Sequence, residues 1–430
     1  MPTPSTSEPP HVVIVGAGFG GLACAKELGG AAAKVTVVDR RNYHLFVPLL
    51  YQVATAALSP ADIARPIRRI LGRYRNIDVV LGKVVAVDSA AHVITLRSGA
   101  TLRYDRLVVA TGSEYSYFGH PEWAAHAPGP LTLEDARRIR TRLLTSFERA
   151  EASRDTAEQD ALMTVAIVGG GPTGVEMAGA VAELTRHALA RDFRRIDPRA
   201  ARIVLIEAGP RLLSAFPEPL AEYARTALER LGVTVITGEA VETIDERGIV
   251  VAGKRIDART VIWGAGVKAS PAASWLGVAA DRAGRIAVNP DLSVVGLNDV
   301  YVLGDTALAN GEDGAPLPAL AQVAAQQGTH LGRALRANLA DGRPLPPFKF
   351  HNRGNTAIVG RHAAVFDFGW TQLKGRFAWL LWAIIHVYLL VGFDNRLRVT
   401  LQWTWAYITY ERGARLIMGD AAWKPGSRLK

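Results

Sequence analysis

Two short glycine runs are the residues in this sequence best suited to chemistry. The first, Gly16-Ala17-Gly18-Phe19-Gly20-Gly21, directly follows the apolar run His11 to Val15. The second, Gly169-Gly170-Gly171-Pro172-Thr173-Gly174, starts 153 residues later and directly follows Val165 to Val168. Both read G-x-G-x-x-G. At that spacing the first glycine permits a tight turn and the second lets backbone approach a pyrophosphate. The third lets a helix pack closely on a strand. The helix that follows offers unpaired N–H groups and a positive dipole end to phosphates. Each unit is completed by an acid at the end of a second apolar run. Asp39 follows Val35 to Val38, 18 residues after Gly21, and Glu207 follows Ile203 to Ile206, 33 residues after Gly174. The usual interval is about 20 residues. The surplus in the second unit lies in the basic stretch Arg186 to Arg202, which reads as a helix extension and loop.

A lone G-x-G-x-x-G is often only a flexible turn. Strand, loop, helix, strand and acid in that order, twice in one chain, point to dinucleotide binding. Glu207 would repel a 2′-phosphate and accept hydrogen bonds from a free 2′-hydroxyl, which favours NADH over NADPH; Arg211 nearby works against that preference. Two complete units mean two dinucleotides or one duplicated site. The economical reading is one tightly held FAD and one exchangeable nicotinamide nucleotide. Three further strand ends agree with it: Leu107 to Ala110 running into Thr111-Gly112, Val261 to Trp263 running into Gly264, and Val300 to Leu303 running into Gly304-Asp305. Ligands bind at such carboxyl ends in open α/β sheets.

The elements that must hold these loops are those of an α/β protein with two Rossmann-like units. A chain of 430 residues suggests two or three domains. Hydrophobic residues are 49% and charged residues 21%, enough for sizeable cores. The single cysteine, Cys24, excludes an intramolecular disulfide, a cysteine-rich metal or iron–sulfur site, and a redox cysteine pair. Cys24 falls in the helix after the first loop and reads as a small packing residue. Met1 to Pro10 reads as a loose tail rather than a secretory signal, since it lacks Lys and Arg and has no apolar core. Leu133 to Ala152 reads as a helix and Ser153 to Asp160 as a surface loop. Arg343-Pro344-Leu345-Pro346-Pro347 reads as a boundary.

The C-terminal part has a different character. Residues 366–410 hold 12 of the 32 aromatic residues. Residues 371–430 hold nine basic and three acidic residues, a net +6 of the chain's +10. Phe377 to Phe393 is a 17-residue stretch without charge, flanked by Lys374 and Arg376 before it and by Arg396 and Arg398 after it. A spanning helix needs about 20 apolar residues. Three readings therefore compete: a transmembrane helix, a buried core or dimer helix, and docking on a membrane surface. Docking is favoured, because Trp, Tyr and flanking Lys and Arg suit the headgroup region. Leu401, Trp403 and Trp405 alternate like a strand within Leu401 to Met418, so a helix there is the weaker reading. The basic residues bracket apolar runs instead of forming a polar groove, which argues against nucleic acid.

From His11 to about Met418 the chain resembles the two-dinucleotide-domain flavoproteins related to glutathione reductase. Within them it is similar to the type II NADH:quinone oxidoreductases, single-subunit, non-pumping respiratory dehydrogenases. The most specific pieces are Asn42-Tyr43-His44-Leu45-Phe46 with Pro48-Leu49-Leu50-Tyr51-Gln52, Gly304-Asp305, and Ala321-Gln322-Val323-Ala324-Ala325-Gln326-Gln327-Gly328. The resemblance implies that Gly16, Gly18, Gly21, Asp39, Thr111 and Asp305 hold FAD, with Asp305 on the ribityl chain. It implies that Gly169, Gly171, Gly174 and Glu207 hold NADH. Ala321 and Gln322 would lie beside the isoalloxazine and Gln326 at the quinone pocket. Gln322 and Gln326 are four apart and share a helical face, and an amide can donate to a quinone carbonyl without carrying charge into an apolar tunnel. Glutamines at that spacing also commonly face water. Glu176 resembles a family glutamate near the reaction centre that passes protons toward reduced quinone. It could equally be an acid that favours the helix dipole.

The implied organisation is a discontinuous FAD-binding domain of residues 11–125 and 295–345, an NADH-binding domain of residues 126–294, and a membrane-docking C-terminal region of residues 346–430. The implied partners are a quinone and an anionic membrane surface, with a homodimer as the family's habit. The expected location is peripheral, on the cytoplasmic face of the cell membrane. Two other functions fit the same loops: an NAD(P)H-dependent reductase for a ferredoxin-type protein, and a flavin-bound, NADH-responsive scaffold of low turnover.

Overall fold

A computed structural model describes residues 8–391, 393–409 and 413–417. The N-terminal tail through Ser7 and the chain from Met418, including Trp423, Lys424, Arg428 and Lys430, lie outside the described residues, as do Glu411 and Arg412. Seven helices position the sites: α1 (Phe19–Glu27), α2 (Leu50–Ala54), α3 (Leu133–Ala152), α4 (Pro172–Glu183), α5 (Ala321–Asp341), α6 (Arg376–Leu389) and α7 (Phe393–Thr409).

The chain forms two compact units. The first holds the residues through Leu45, Ala64–Glu114 and Val267–Asn352. Its centre is a five-stranded parallel sheet in the order Val300–Val302, Arg106–Val109, His11–Val15, Lys34–Asp39, Ile77–Leu81. The runs are β-branched and apolar because both faces of the sheet are covered. Val12 and Ile14 face a core with Leu22, Cys24, Leu331 and Leu335, whereas Val13 and Val15 face one with Ile94, Leu107 and Leu276. α1 and α5 approach closely through small residues. A Cβ on Gly328 would lie 2.0 Å from the Gly20 carbonyl oxygen, and one on Gly332 would lie 2.7 Å from that of Cys24. Cys24 is fully buried at this crossing, and burial pushes its thiol up to about 12. It is a packing residue, as its small size and helical position suggest. Residues 267–294 join this unit through parallel pairing of Ile286 with Ala307.

The second unit holds Phe46–Ile63, Tyr115–Gly266 and the chain from Arg353. Its parallel sheet runs in the order Val233–Thr237, Arg202–Glu207, Thr164–Val168, Thr260–Trp263. α3 is capped by Thr132, whose hydroxyl accepts from Asp135 N at 3.1 Å, and Glu134 and Asp135 lie in its first turn. The surface loop expected at Ser153 to Asp160 is largely helical instead. Thr156–Met163 forms a short helix because the Asp155 carboxylate accepts from Ala157 N at 3.0 Å. α2 packs on α3 and α4. An antiparallel sheet of Asn355–Gly360, Ala363–Asp367 and Gln372–Gly375 lays its first strand against α4. Contact is so close there that a Cβ on Gly179 would lie 1.6 Å from the Val359 carbonyl oxygen.

The uncharged stretch Phe377 to Phe393 is not one helix. α6 ends at Leu389, and Leu390 is extended at φ −60° and ψ 138°. Fourteen residues span roughly 21 Å, short of a hydrocarbon layer about 30 Å thick. Among the described residues no helix is long and apolar enough to cross a membrane. The strand-like alternation at Leu401, Trp403 and Trp405 is overruled by tertiary packing. Those residues lie in α7, where Asn395 and Val399, four residues apart, are buried on one side and Trp403 is half-buried a turn further on.

Candidate active site

The two glycine loops are built alike at their three motif glycines. Gly16 and Gly169 have φ of +98° and +108°, in the region that favours glycine. Their N–H groups donate to the carbonyls of Val38 and Ile206, each at 2.7 Å. A Cβ on Gly21 would lie 1.8 Å from the Gly16 oxygen, and one on Gly174 would lie 1.8 Å from the Gly169 oxygen. Glycine at the first and third positions is thus required by the protein itself. The second position differs. A Cβ on Gly18 or Gly171 would meet nothing within 4 Å, and both residues have ordinary extended backbone. The open space lies at the N-termini of α1 and α4, where a pyrophosphate can come to the backbone. This construction fits a dinucleotide in each loop.

The acids match as well. One Asp39 oxygen accepts from Ala17 N at 2.6 Å and the other from Arg41 N at 2.7 Å. One Glu207 oxygen accepts from Gly170 N at 2.5 Å and the other from Gly209 N at 2.6 Å. Each carboxylate braces its loop and stands at the sheet edge beside it. Burial pushes the Asp39 carboxyl above its ordinary value, against the pull of the two N–H groups. His44, from the Asn42-to-Phe46 motif, braces the first loop. A ring nitrogen bonds the Ala17 carbonyl at 2.9 Å, and burial pushes the imidazole down to about 4, so it stays neutral.

At the strand ends of the first unit, Thr111 and Asp305 come together with residues that the motifs did not mark. The Thr111 hydroxyl lies 2.5 Å from that of Ser270. Ser113 donates to Asp305 at 2.8 Å, and burial raises the Asp305 carboxyl. Ala321 opens α5, with Gln322 next. Gln327 is fully buried, and its amide oxygen accepts from Gly304 N at 2.7 Å. It therefore fixes the turn that carries Asp305. Gln326 closes its amide on the backbone of one residue, accepting from His351 N at 3.0 Å and donating to His351 O at 2.9 Å. Gln326, expected at the quinone pocket, thus uses its amide oxygen and one of its two amide N–H groups on His351. Ser113 follows the Thr111-Gly112 turn and could have been suspected. Gln327 stands inside the Ala321-to-Gly328 motif but was given no role there, and Ser270 carried no local signal.

The second unit contains a cavity of about 1160 Å³ with largely apolar walls. Its lining residues all belong to this unit and include Tyr51, Gln52, Glu176, Trp382 and Trp403. Of the three side chains assigned to catalysis, Glu176 is the one among them; Gln322 and Gln326 lie in the first unit. Burial pushes the Glu176 carboxyl up to about 8, and a backbone hydrogen bond from Ile358 pulls it the other way. Glu176 stands past the first turn of α4, where the dipole's influence has faded.

The cavity wall opposite α4 is aromatic. Trp382 stacks on His386 at 4.1 Å and on Trp403 at 5.5 Å. Trp403 Nε1 donates to the Gln52 amide oxygen at 2.9 Å, and Gln52 donates to the Tyr51 hydroxyl at 2.9 Å. His386 is neutral here, pushed down to about 4 by burial. The exposed sides of α6 and α7 are equally apolar. Phe377, Leu380, Ile384 and Tyr388 form an exposed row on α6 that also lines the cavity, and Leu397, Leu401 and Trp405 form another on α7, outside it. Phe377 is 84% exposed. A helix in water normally turns polar residues outward.

Comparison with known proteins places this geometry. Residues 10–328 match the family model of the pyridine nucleotide-disulphide oxidoreductases. The chain is 39% identical over 434 aligned residues to a type II NADH:quinone oxidoreductase of Mycobacterium tuberculosis, covering 97% of this chain and 93% of that protein. It is 29% identical to a demethylphylloquinone reductase of Synechocystis, covering 93% of this chain and 96% of that protein. Its fold matches the structure of NDH2 from Plasmodium falciparum in complex with NADH, with a TM-score of 0.87 at 19% identity, covering 96% of this chain and all of that one.

Proposed function

The chain belongs to the pyridine nucleotide-disulphide oxidoreductases and, within them, to the type II NADH:quinone oxidoreductases, and from that membership we propose how its residues carry the reaction. It oxidises NADH and reduces a quinone. The observation that carries the assignment is the pair of matching loops, each closed by the protein at its first and third glycines and open at its second. We assign FAD to the first unit, through Gly16, Gly18, Gly21, Asp39, Thr111, Asp305, Ala321 and Gln322. NADH goes to the second unit, through Gly169, Gly171, Gly174 and Glu207. FAD, when bound, supplies the chemistry of accepting a hydride from NADH and passing electrons to the quinone.

The side chains do the rest. The N–H groups of each loop and the adjoining helix N-terminus hold a pyrophosphate. Asp39 and Glu207 accept ribose hydroxyls while bracing the loops. Asp305, set by Ser113 and the Gln327-held turn, accepts from the ribityl chain. The cavity beside Glu176 takes the quinone, and its aromatic wall keeps water sparse. Glu176 holds a proton at its carboxyl at neutral pH and gives it to a quinone oxygen. Gln326 acts by holding the chain at His351.

The exposed apolar rows of α6 and α7 seat the protein on the membrane that contains the quinone, with the exposed Arg398 toward anionic headgroups. The reading places the enzyme peripherally on the cytoplasmic face. It includes a second copy of the chain as partner. The test follows NADH absorbance with enzyme on anionic vesicles that contain a long-chain quinone. NADH is expected to be consumed only when quinone is present. A rate independent of quinone would overturn the proposal.

A further inference from the structure

The reduction NADH + quinone + H⁺ → NAD⁺ + quinol takes up one proton per turnover. The hydride brings two electrons and one proton, and the second O–H bond of the quinol needs a proton from elsewhere. If Glu176 gives that proton, its O–H bond breaks as the quinol O–H bond forms. The carboxylate left behind must then be refilled from solvent through an apolar cavity.

One side of a single helix offers the path. Glu176, Ala180, Glu183 and His187 all line the cavity, at spacings of four, three and four. Glu176 and Glu183 are half-buried and His187 is exposed, so the series runs outward to solvent. Beyond Glu183 the helix loosens into a π turn, Leu184–Ala188, a deformation often found at functional sites. His187 sits in that turn. The Glu183 carboxylate accepts the Arg361 N–H, which holds it at the wall.

We propose that Glu183 and His187 form a proton relay that refills Glu176 from solvent along this side of the helix. The relay rests on the reading of the cavity as the quinone site. Helix rise separates Glu176 from Glu183 by roughly 10 Å and Glu183 from His187 by roughly 6 Å, spans that one or two waters bridge. The cavity has room for them, since a water occupies about 30 Å³. The high affinity of the Glu176 carboxyl for its proton favours refilling near neutral pH. The other titratable and charged groups facing the cavity are Tyr51, Arg361, His362, Arg376, Tyr388 and Arg396. The arginines do not exchange protons near neutral pH. His362 is the poorer carrier, because burial and the charges of Arg376 and Arg361 push its imidazole down.

The test compares the holoenzyme with Glu183→Gln, His187→Gln and Glu176→Gln in vesicles. Flavin reduction by NADH and quinone reduction are timed separately. Glu183→Gln and His187→Gln are expected to leave the first rate unchanged and slow the second about tenfold or more. Added imidazole should restore His187→Gln, and small carboxylic acids should restore Glu183→Gln. A merely structural role would not respond to such rescue. Full quinone turnover in both variants, with Glu176→Gln impaired, would overturn the relay and leave the cavity reading standing. Full turnover in Glu176→Gln would overturn both. Slowing without any rescue, together with a lowered melting temperature, would overturn the relay as well. His187 is exposed, so its substitution should leave folding intact.

Discussion

Replacing Gly171 by alanine adds one methyl group at a point where the protein has no atom within 4 Å. The backbone there, φ −71° and ψ −177°, suits alanine. The folding cost should be no more than about 1 kcal/mol, the usual scale for a helix N-cap change. The cost should fall on the ligand, because the methyl group occupies the space through which a pyrophosphate reaches the loop. Losing one hydrogen bond to a charged group costs about 1.5–3 kcal/mol, a factor of roughly 10 to 150 in affinity. Gly174→Ala is the contrast. Its Cβ would sit 1.8 Å from the Gly169 oxygen, a backbone atom that cannot swing aside. Overpacking of that kind costs about 1–3 kcal/mol or more. The assay measures the melting temperature, flavin content and KM for NADH of both variants. Gly171→Ala should melt within about 3 °C of the parent, keep its flavin, and show a KM raised about tenfold or more. Gly174→Ala should lose stability first. An unchanged KM in Gly171→Ala, or a larger loss of stability there than in Gly174→Ala, would refute the reasoning.

Four more outcomes are expected. Quinone reduction should decline as pH rises through about 8, where the Glu176 carboxyl loses its proton; Glu176→Gln should be slower by about 100-fold and lack that decline, as stopped-flow profiles would record. The raised folded-state value also means that Glu176 contributes stability at low pH that is lost as pH rises through about 8, so the melting temperature of Glu176→Gln should depend less on pH. Exchanging Leu397 and Leu401, exposed on α7 outside the cavity, for glutamine should leave the melting temperature unchanged and weaken vesicle binding, measured by co-sedimentation, by about 100-fold, since burying each side chain is worth about 1.5–3 kcal/mol. Trp403→Phe removes the donor to the buried Gln52 oxygen, a loss of about 1–3 kcal/mol; a thermal scan should show a lower midpoint, together with a higher KM for quinone.

The loops were legible because their chemistry is local. Three glycines and an acid at fixed spacing specify a turn, a close approach and a brace, and both copies show each of them. α3 was legible because Thr132, Glu134 and Asp135 mark its start within a few residues. What was not legible depended on distant partners. Gln327 looked like its neighbours until Gly304 N was found against it, and Ser270 gave no sign that Thr111 would meet it. Gln326 is expected at the quinone pocket from the resemblance, and nothing local showed that His351, 25 residues on, would bond its amide. The Thr156–Met163 helix was hidden by polarity, since its cap is a short-range feature but its apolar residues are few. α7 read as strand-like because two opposite sides of the helix are both apolar, so sequence polarity could not tell inside from outside.

The central claim is that one chain holds two different dinucleotides and passes electrons between them to a quinone. An anaerobic absorbance titration of the purified protein tests it most directly. The account predicts a yellow protein with one FAD per chain, fully bleached by one equivalent of NADH and restored by one equivalent of quinone. A protein that stays colourless after incubation with FAD, or whose bleached colour quinone does not restore, would contradict it.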